Sequence, residues 1–349
     1  MKLPSKSKIT RPAELRQFAA DLIKIDDEAD IKVSSRGWCY TLEGMNEITK
    51  QRFDRVDNLI VECRKNGLLP VDFVAEEEGR TFHSIWNPNI SSPEEDITNW
   101  IKATLDAGDL YKPDYWEGEK YYIQMLVEKI DLVNLFMPLC EKYHIPIATS
   151  KGWSSILQRD EIAQRFKRME EKGHECVLLY CGDLDVAGLE ISNTLMKNFK
   201  DLELATKWNP DNMIIDRFGL NLEFVEEFGL TWIDNLETAG GTIAKEVNGE
   251  IIQGKTNKGR PHPDFYKPAT QEYLSTIGVR KCEANALVQN KVAGKELCQN
   301  AILKYLDDGI DQRIDDLKNK TLTEFKEVFE RTNILEPLES ALNMLKNGE

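Results

Sequence analysis

Two apolar runs that each end on carboxylates constrain this chain more than any other feature. The first, Tyr121-Tyr122-Ile123-Gln124-Met125-Leu126-Val127, stops at Glu128. The second, Cys176-Val177-Leu178-Leu179-Tyr180-Cys181, stops at Gly182-Asp183-Leu184-Asp185-Val186-Ala187-Gly188. Between them the pattern predicts a helix over 129–144, a short strand over 145–149 and a longer helix over 154–172. Strand, helix, strand, helix, strand is the order of a doubly wound parallel sheet. Such sheets bind ligands beyond the carboxyl ends of their strands, where Glu128, Asp183 and Asp185 all fall.

Carboxylates at i and i+2 past one strand, facing a third from another strand, suit a hard divalent ion such as Mg2+, with Mn2+ as a substitute. Magnesium takes one or two protein carboxylates, keeps several waters and leaves room for substrate phosphates. Any one of these acids alone reads as an ordinary solvated loop charge; the combination points to metal. Glu128 with Asp183-x-Asp185 resembles a Toprim domain, the metal-binding fold of topoisomerases, bacterial primases and several nucleases. The motif alone does not choose among them.

At 349 residues the chain can hold two domains. Its 41% hydrophobic and 30% charged residues are those of a soluble globular protein. No apolar run reaches the roughly 18 residues of a membrane span, and the N-terminus lacks a signal-peptide apolar region, so a cytoplasmic, nucleoid-associated protein without membrane contact is expected. Seven cysteines with no C-x-x-C argue for a reducing compartment and against a zinc ribbon. Four scattered histidines argue against a histidine-bound metal. The net charge of −15 opposes nucleic-acid binding in total but not in distribution. Residues 1–75 carry 13 Lys and Arg against 12 Asp and Glu, and Lys2, Lys6, Lys8 and Arg11 open the chain with a basic arm.

Helices are expected over 13–30, from Ser34 or Ser35 onward, and over 49–66. In the second, Arg36 and Tyr40 stand at i and i+4. The third carries Phe53, Val56, Leu59, Ile60 and Cys63 at core spacing, and Lys50, Arg52, Arg55, Arg64 and Lys65 on its other face. Three short helices with a basic face fit a helix-turn-helix or winged-helix module on DNA. They fit a small helical bundle with a solvated face equally well.

Arg36-Gly37-Trp38-Cys39-Tyr40, followed by the basic helix and Gly67-Leu68-Leu69-Pro70, resembles the winged-helix domain in the DNA-cleaving subunit of topoisomerase VI and in the related meiotic double-strand-break proteins. Winged helix first and Toprim second is that family's order, and Val127-Glu128-Lys129, Lys151-Gly152-Trp153, Arg217-Phe218-Gly219-Leu220 and Lys281-Cys282-Glu283-Ala284 extend the likeness over roughly residues 13 to 310. Two departures are Cys39, where the family often has an aromatic residue, and Val186, where it commonly has proline. The resemblance implies a mainly α winged-helix domain over 1–80, a connector over 81–120, and a Toprim-type parallel sheet flanked by helices with a C-terminal extension over 121–349. It further implies double-stranded DNA as substrate and a homodimer in which one protomer's Tyr40 meets the carboxylates of its partner. Family members that pass one duplex through another work with a separate ATPase subunit. The chain itself offers no ATP domain.

One motif is a decoy. Gly249-Glu250-Ile251-Ile252-Gln253-Gly254-Lys255-Thr256 fits the phosphate-binding P-loop pattern, which needs a strand before it and a helix after it. Asn248-Gly249 instead signals a hairpin turn, and Arg260-Pro261-His262-Pro263 cannot begin a helix. A hairpin with a basic tip is expected, with Lys255, Lys258 and Arg260 reaching phosphate. Lys151 completes the expected DNA contacts.

The chemistry implied is tyrosine transesterification. Tyr40 Oη attacks a backbone phosphorus, and in the family the link forms to the 5′ end. A phenol of pKa near 10 is only about a thousandth ionised at neutral pH, so Arg36 is expected to favour the phenolate or hold the phosphate. Glu128, Asp183 and Asp185 would hold magnesium. Two other classes remain: a Toprim nuclease in which activated water attacks, and a DNA-binding relative that does not cut.

Overall fold

The computed structural model describes all residues except 2, 6–8, 28–34, 46, 75–90, 112, 151–154, 239 and 348–349, and omits the side chains of residues 36, 40, 44, 289, 346 and 347. The protein is α/β, and its backbone divides into two units. One joins Met1–Glu77 to Lys120–Tyr305; the other joins Glu78–Glu119 to Leu306–Glu349.

In the first unit, helices α1 (Arg11–Asp27), α2 (Ser35–Gly44) and α3 (Phe53–Lys65) enclose a core that includes Phe18, Leu22, Trp38, Leu42, Phe53, Val56 and Ile60. Each such buried side chain contributes about 1.5–3 kcal/mol of transfer free energy. Trp38 stacks on Phe73 at 5.0 Å, which folds the segment after α3 back over the bundle. Gly67, at φ +66°, ends α3 by letting Leu68 N reach Cys63 O at 2.9 Å. Among the described residues, the first strand of the chain is at Tyr121.

The sheet has four parallel strands, β1 (Tyr121–Val127), β2 (Ile147–Thr149), β3 (Glu175–Cys181) and β4 (Ile214–Gly219), in the order β2-β1-β3-β4. The residues after the first are buried in both β1 and β3, because helices cover both faces of a doubly wound sheet. That is why both strands read as continuous apolar runs rather than alternating ones. The chain leaves β1 toward β2 and then returns across β1 to β3, so right-handed crossovers put Ile130–Lys142 and Ile156–Glu171 on opposite faces. Lys291–Leu303 packs beside the former, and Ile191–Lys200 beside the latter. Strand order therefore reverses between β1 and β3, and that is the place where such sheets bind ligands.

The second unit is helical. Pro93–Leu105 begins with a full capping box, the Ser92 side chain accepting from Glu95 N while Glu95 Oε2 accepts from Ser92 N. It packs against Leu335–Asn347, whose Leu338, Leu342 and Leu345 are half-buried, and Ala107–Leu110 packs against Ile310–Thr332. Arg313 pairs with the buried Glu119.

Candidate functional site

Register builds the site. Val127 pairs with Cys181 across β1 and β3, so the next residues, Glu128 and Gly182-Asp183, leave the sheet at the same level. Glu128 Oε2 accepts from Asp183 N at 3.0 Å, and Asp183 Oδ1 accepts from Ala284 N at 2.8 Å. The two remaining oxygens share one cation: Lys129 Nζ donates to Glu128 Oε1 at 2.7 Å and to Asp183 Oδ2 at 3.0 Å.

The electrostatics follow from crowding. Burial, reinforced by the Glu128 charge and opposed by the Ala284 amide and Lys129, pushes the Asp183 carboxyl up to about 6. Burial also works against ionised Glu128, but the Asp183 amide and Lys129 hold its carboxyl below the ordinary value. Lys129 loses solvent yet is held protonated by both carboxylates, and its pKa rises.

Asp185 has a different task. It caps the short helix Val186–Leu189, accepting from Gly188 N at 2.6 Å, and burial raises its carboxyl. The spacing of glycines is steric. A Cβ on Gly182 would stand 2.7 Å from the Tyr180 ring and 2.9 Å from Glu128 Oε2, and one on Gly188 would stand 2.1 Å from Asp183 O. Arg217, half-buried beneath the loop, donates from β4 to Asp183 O at 3.0 Å. Segment 280–284 runs antiparallel to the loop through the Leu184–Cys282 pair, and Tyr273 Oη lies 2.9 Å from Leu184 O and 2.8 Å from Arg280 O.

A cleft of about 920 Å³ opens beside these groups, lined by Glu128, Asp185, Glu190, Thr256, His262 and Lys267 among others. The expected hairpin, Ala244–Val247 with Glu250–Gln253, is present, but its tip is Asn248-Gly249, both at positive φ. Lys255, Lys258 and Arg260 instead lie exposed on the following turn, closed by Thr256 N donating to Arg260 O at 2.7 Å. The next element is the short 3-10 helix Pro263–Tyr266, so the P-loop pattern has no α-helix directly after it.

The other sequence-derived residues are distributed as follows. Arg36 and Tyr40 belong to α2 by backbone, and their side chains lie outside the described atoms; Lys151 lies outside the described residues. Lys50 and Arg52 are exposed. Arg55 donates to Pro4 O, and Lys65 pairs with Asp201 at 3.0 Å. Arg64 is buried and donates from Nε to Val71 O at 2.8 Å, a correction to its expected place on an exposed basic face. Lys129 and Arg217 join the site although the motif does not mark them as functional. The sequence signals for them are their place beside or within a strand end and their inclusion in the segments Val127-Glu128-Lys129 and Arg217-Phe218-Gly219-Leu220 that carry the family resemblance.

Among the described residues no three His, Cys, Asp or Glu side chains form a ready set of metal ligands. The fit to a divalent ion rests instead on the all-oxygen donors and on the ammonium already seated between Glu128 and Asp183 as a stand-in cation. No family model, curated protein or solved structure matches the chain.

Proposed function

We propose that the protein cleaves double-stranded DNA by magnesium-assisted tyrosine transesterification, on a Toprim-type sheet preceded by a winged-helix-like module. The observation that carries this reading is the pair of carboxylates that follow β1 and β3, Glu128 and Asp183, brought together around the Lys129 ammonium where strand order reverses. Polyphosphate-processing sites need a hard cation there. The exposed Lys255, Lys258 and Arg260 follow Gly254 in the segment that contributes Thr256 to the cleft, and they favour a polyanionic substrate over a small neutral one.

Glu128, Asp183 and Asp185 would hold Mg2+, which would supply charge neutralisation at a phosphate. The chain's own groups do the rest. Tyr40 Oη gives its proton to water and forms the new ester bond to phosphorus while the bond to the 3′ oxygen breaks, and that oxygen takes a proton from water and leaves as a hydroxyl, so protons and charge balance. Arg36, one helical turn before Tyr40, supplies positive charge that favours the phenolate. Arg217 and Gly188 keep the Asp183–Asp185 loop in shape. A homodimer brings Tyr40 of one protomer to the carboxylates of its partner, and a separate ATPase subunit would couple cleavage to strand passage.

A second reading has its own support. Carboxylates, cleft and basic turn all come from residues 120–305 of one chain, which is all that a water-activating nuclease requires.

Supercoiled plasmid incubated with the protein and Mg2+ or Mn2+, quenched in denaturant with and without proteinase, separates the two. Breaks joined to protein and absent from Tyr40→Phe and Asp183→Ala support transesterification. Protein-free breaks that persist in Tyr40→Phe support the nuclease. Binding without breaks, unchanged in Asp183→Ala, makes the protein a DNA-binding relative and overturns both.

A further inference from the structure

Four oxygens belong to the Glu128 and Asp183 carboxylates, and each has a partner. Oε2 and Oδ1 accept main-chain amides, from Asp183 and Ala284, that are fixed by the sheet and by the 280–284 segment. Oε1 and Oδ2 instead face a group that can move, the Lys129 ammonium. With Oε2 and Oδ1 held by amides, Oε1 and Oδ2 are the oxygens these two residues would offer to a divalent ion. The ammonium fills the space between those oxygens, so an ion seated there would have to take its place, and two cations so close together would repel.

The neighbouring cations do not compete for this place. Arg217 is committed to Asp183 O, and Lys281 to Glu237 O at 3.2 Å and to Glu283 at 3.8 Å. Lys129 differs from both in its freedom. Its side chain is 32% exposed against 12% for Asp183, and it sits on a flexible stem just before helix Ile130–Lys142. A lysine stem regains rotamer freedom on release, so departure is not opposed by packing alone.

We infer that Lys129 is a built-in counter-ion, which holds Glu128 and Asp183 together in the metal-free protein and is displaced when a divalent cation enters. This rests on the reading of those two residues as metal ligands. Binding is then an exchange of one cation for another. The ammonium sets the ion concentration at which the site fills, and it keeps two like charges from forcing the strand ends apart before the ion arrives.

The test uses the full chain and Mn2+ alone. Calorimetric titration of wild type and Lys129→Met is expected to show at least tenfold tighter binding by the variant, which lacks the competing charge. Metal-free Lys129→Met is expected to melt below wild type and to recover with Mn2+. A second measurement needs no variant: acylation of Lys129 by an amine-reactive reagent, followed by mass spectrometry, is expected to speed up when wild type is saturated with Mn2+. Equal or weaker binding by the variant, or acylation of Lys129 that Mn2+ leaves unchanged, overturns the exchange while the metal reading stands. If neither protein binds Mn2+, the metal reading itself falls, and this inference with it.

Discussion

Arg217 on β4 reaches under the loop that follows β3 and donates from Nη2 to the main-chain carbonyl of Asp183, 3.0 Å away. The contact is to backbone rather than to the carboxylate, so its effect is on where Asp183 stands and not on its charge balance alone. Arg217 Nε is buried and unpaired among the described residues, and loss of solvent lowers the pKa of the guanidinium.

Arg217→Met keeps the length and removes the donor. It is expected to weaken Mn2+ binding severalfold while costing about 1–3 kcal/mol of stability, the usual loss when a buried carbonyl is left without its donor. Urea unfolding and calorimetry on the same preparation give both numbers. Unchanged Mn2+ binding would show that the loop holds its shape without Arg217.

Gly188→Ala tests the steric account of the second glycine. Its Cβ would meet Asp183 O at 2.1 Å, a backbone atom that cannot swing away. Overpacking of this kind costs about 1–3 kcal/mol. The variant is expected to melt lower than wild type and to show a smaller rise on adding Mg2+, because the Asp183–Asp185 loop must open to accept the methyl.

The Asp183 carboxyl gives a pH signature. Its pKa is raised to about 6 in the folded chain, so folding favours the protonated form. The stability this provides is full below the ordinary carboxylate range and is lost as pH rises through about 6. Without metal, Asp183→Asn is expected to melt above wild type at about pH 8 and to differ little from it at about pH 4.5. Protons also compete with the ion, so the Mg2+-induced rise of wild type is expected to be larger at about pH 7.5 than at about pH 5.5. Thermal melts in matched buffers decide both points.

The cations of the α3 region separate into two kinds. Lys50 and Arg52 are exposed, and replacing both with Ala is expected to flatten the salt dependence of DNA binding by roughly two units of slope, with stability unchanged. Arg64→Ala is expected to lower stability by about 1–3 kcal/mol, because Val71 O loses its donor inside the bundle. Salt-dependent DNA binding and urea unfolding of the two variants distinguish contact from support.

The sheet was legible because β1 and β3 are covered on both faces, which turns their sequence into unbroken apolar runs. The placement of Glu128 and Asp183 at strand ends followed from the same runs. The role of Lys129 did not, since it depends on the Val127–Cys181 register and on which way one side chain turns. Arg64 carried the spacing of an exposed basic face, but its place in the last turn of α3 aims it at the chain reversal after Gly67. The grouping of 78–119 with 306–349 was equally hidden: amphipathic stripes show that a helix needs a partner and not which one.

That grouping matters while the chain is being made. Helix Pro93–Leu105 is complete about 230 residues before its partner Leu335–Asn347 begins, roughly 12–46 s at about 5–20 residues per second. The strands and helices of 120–305 can assemble within that interval. The body containing Ile101 has to wait for the last helix, and during elongation its apolar face is a surface for chaperones to shield.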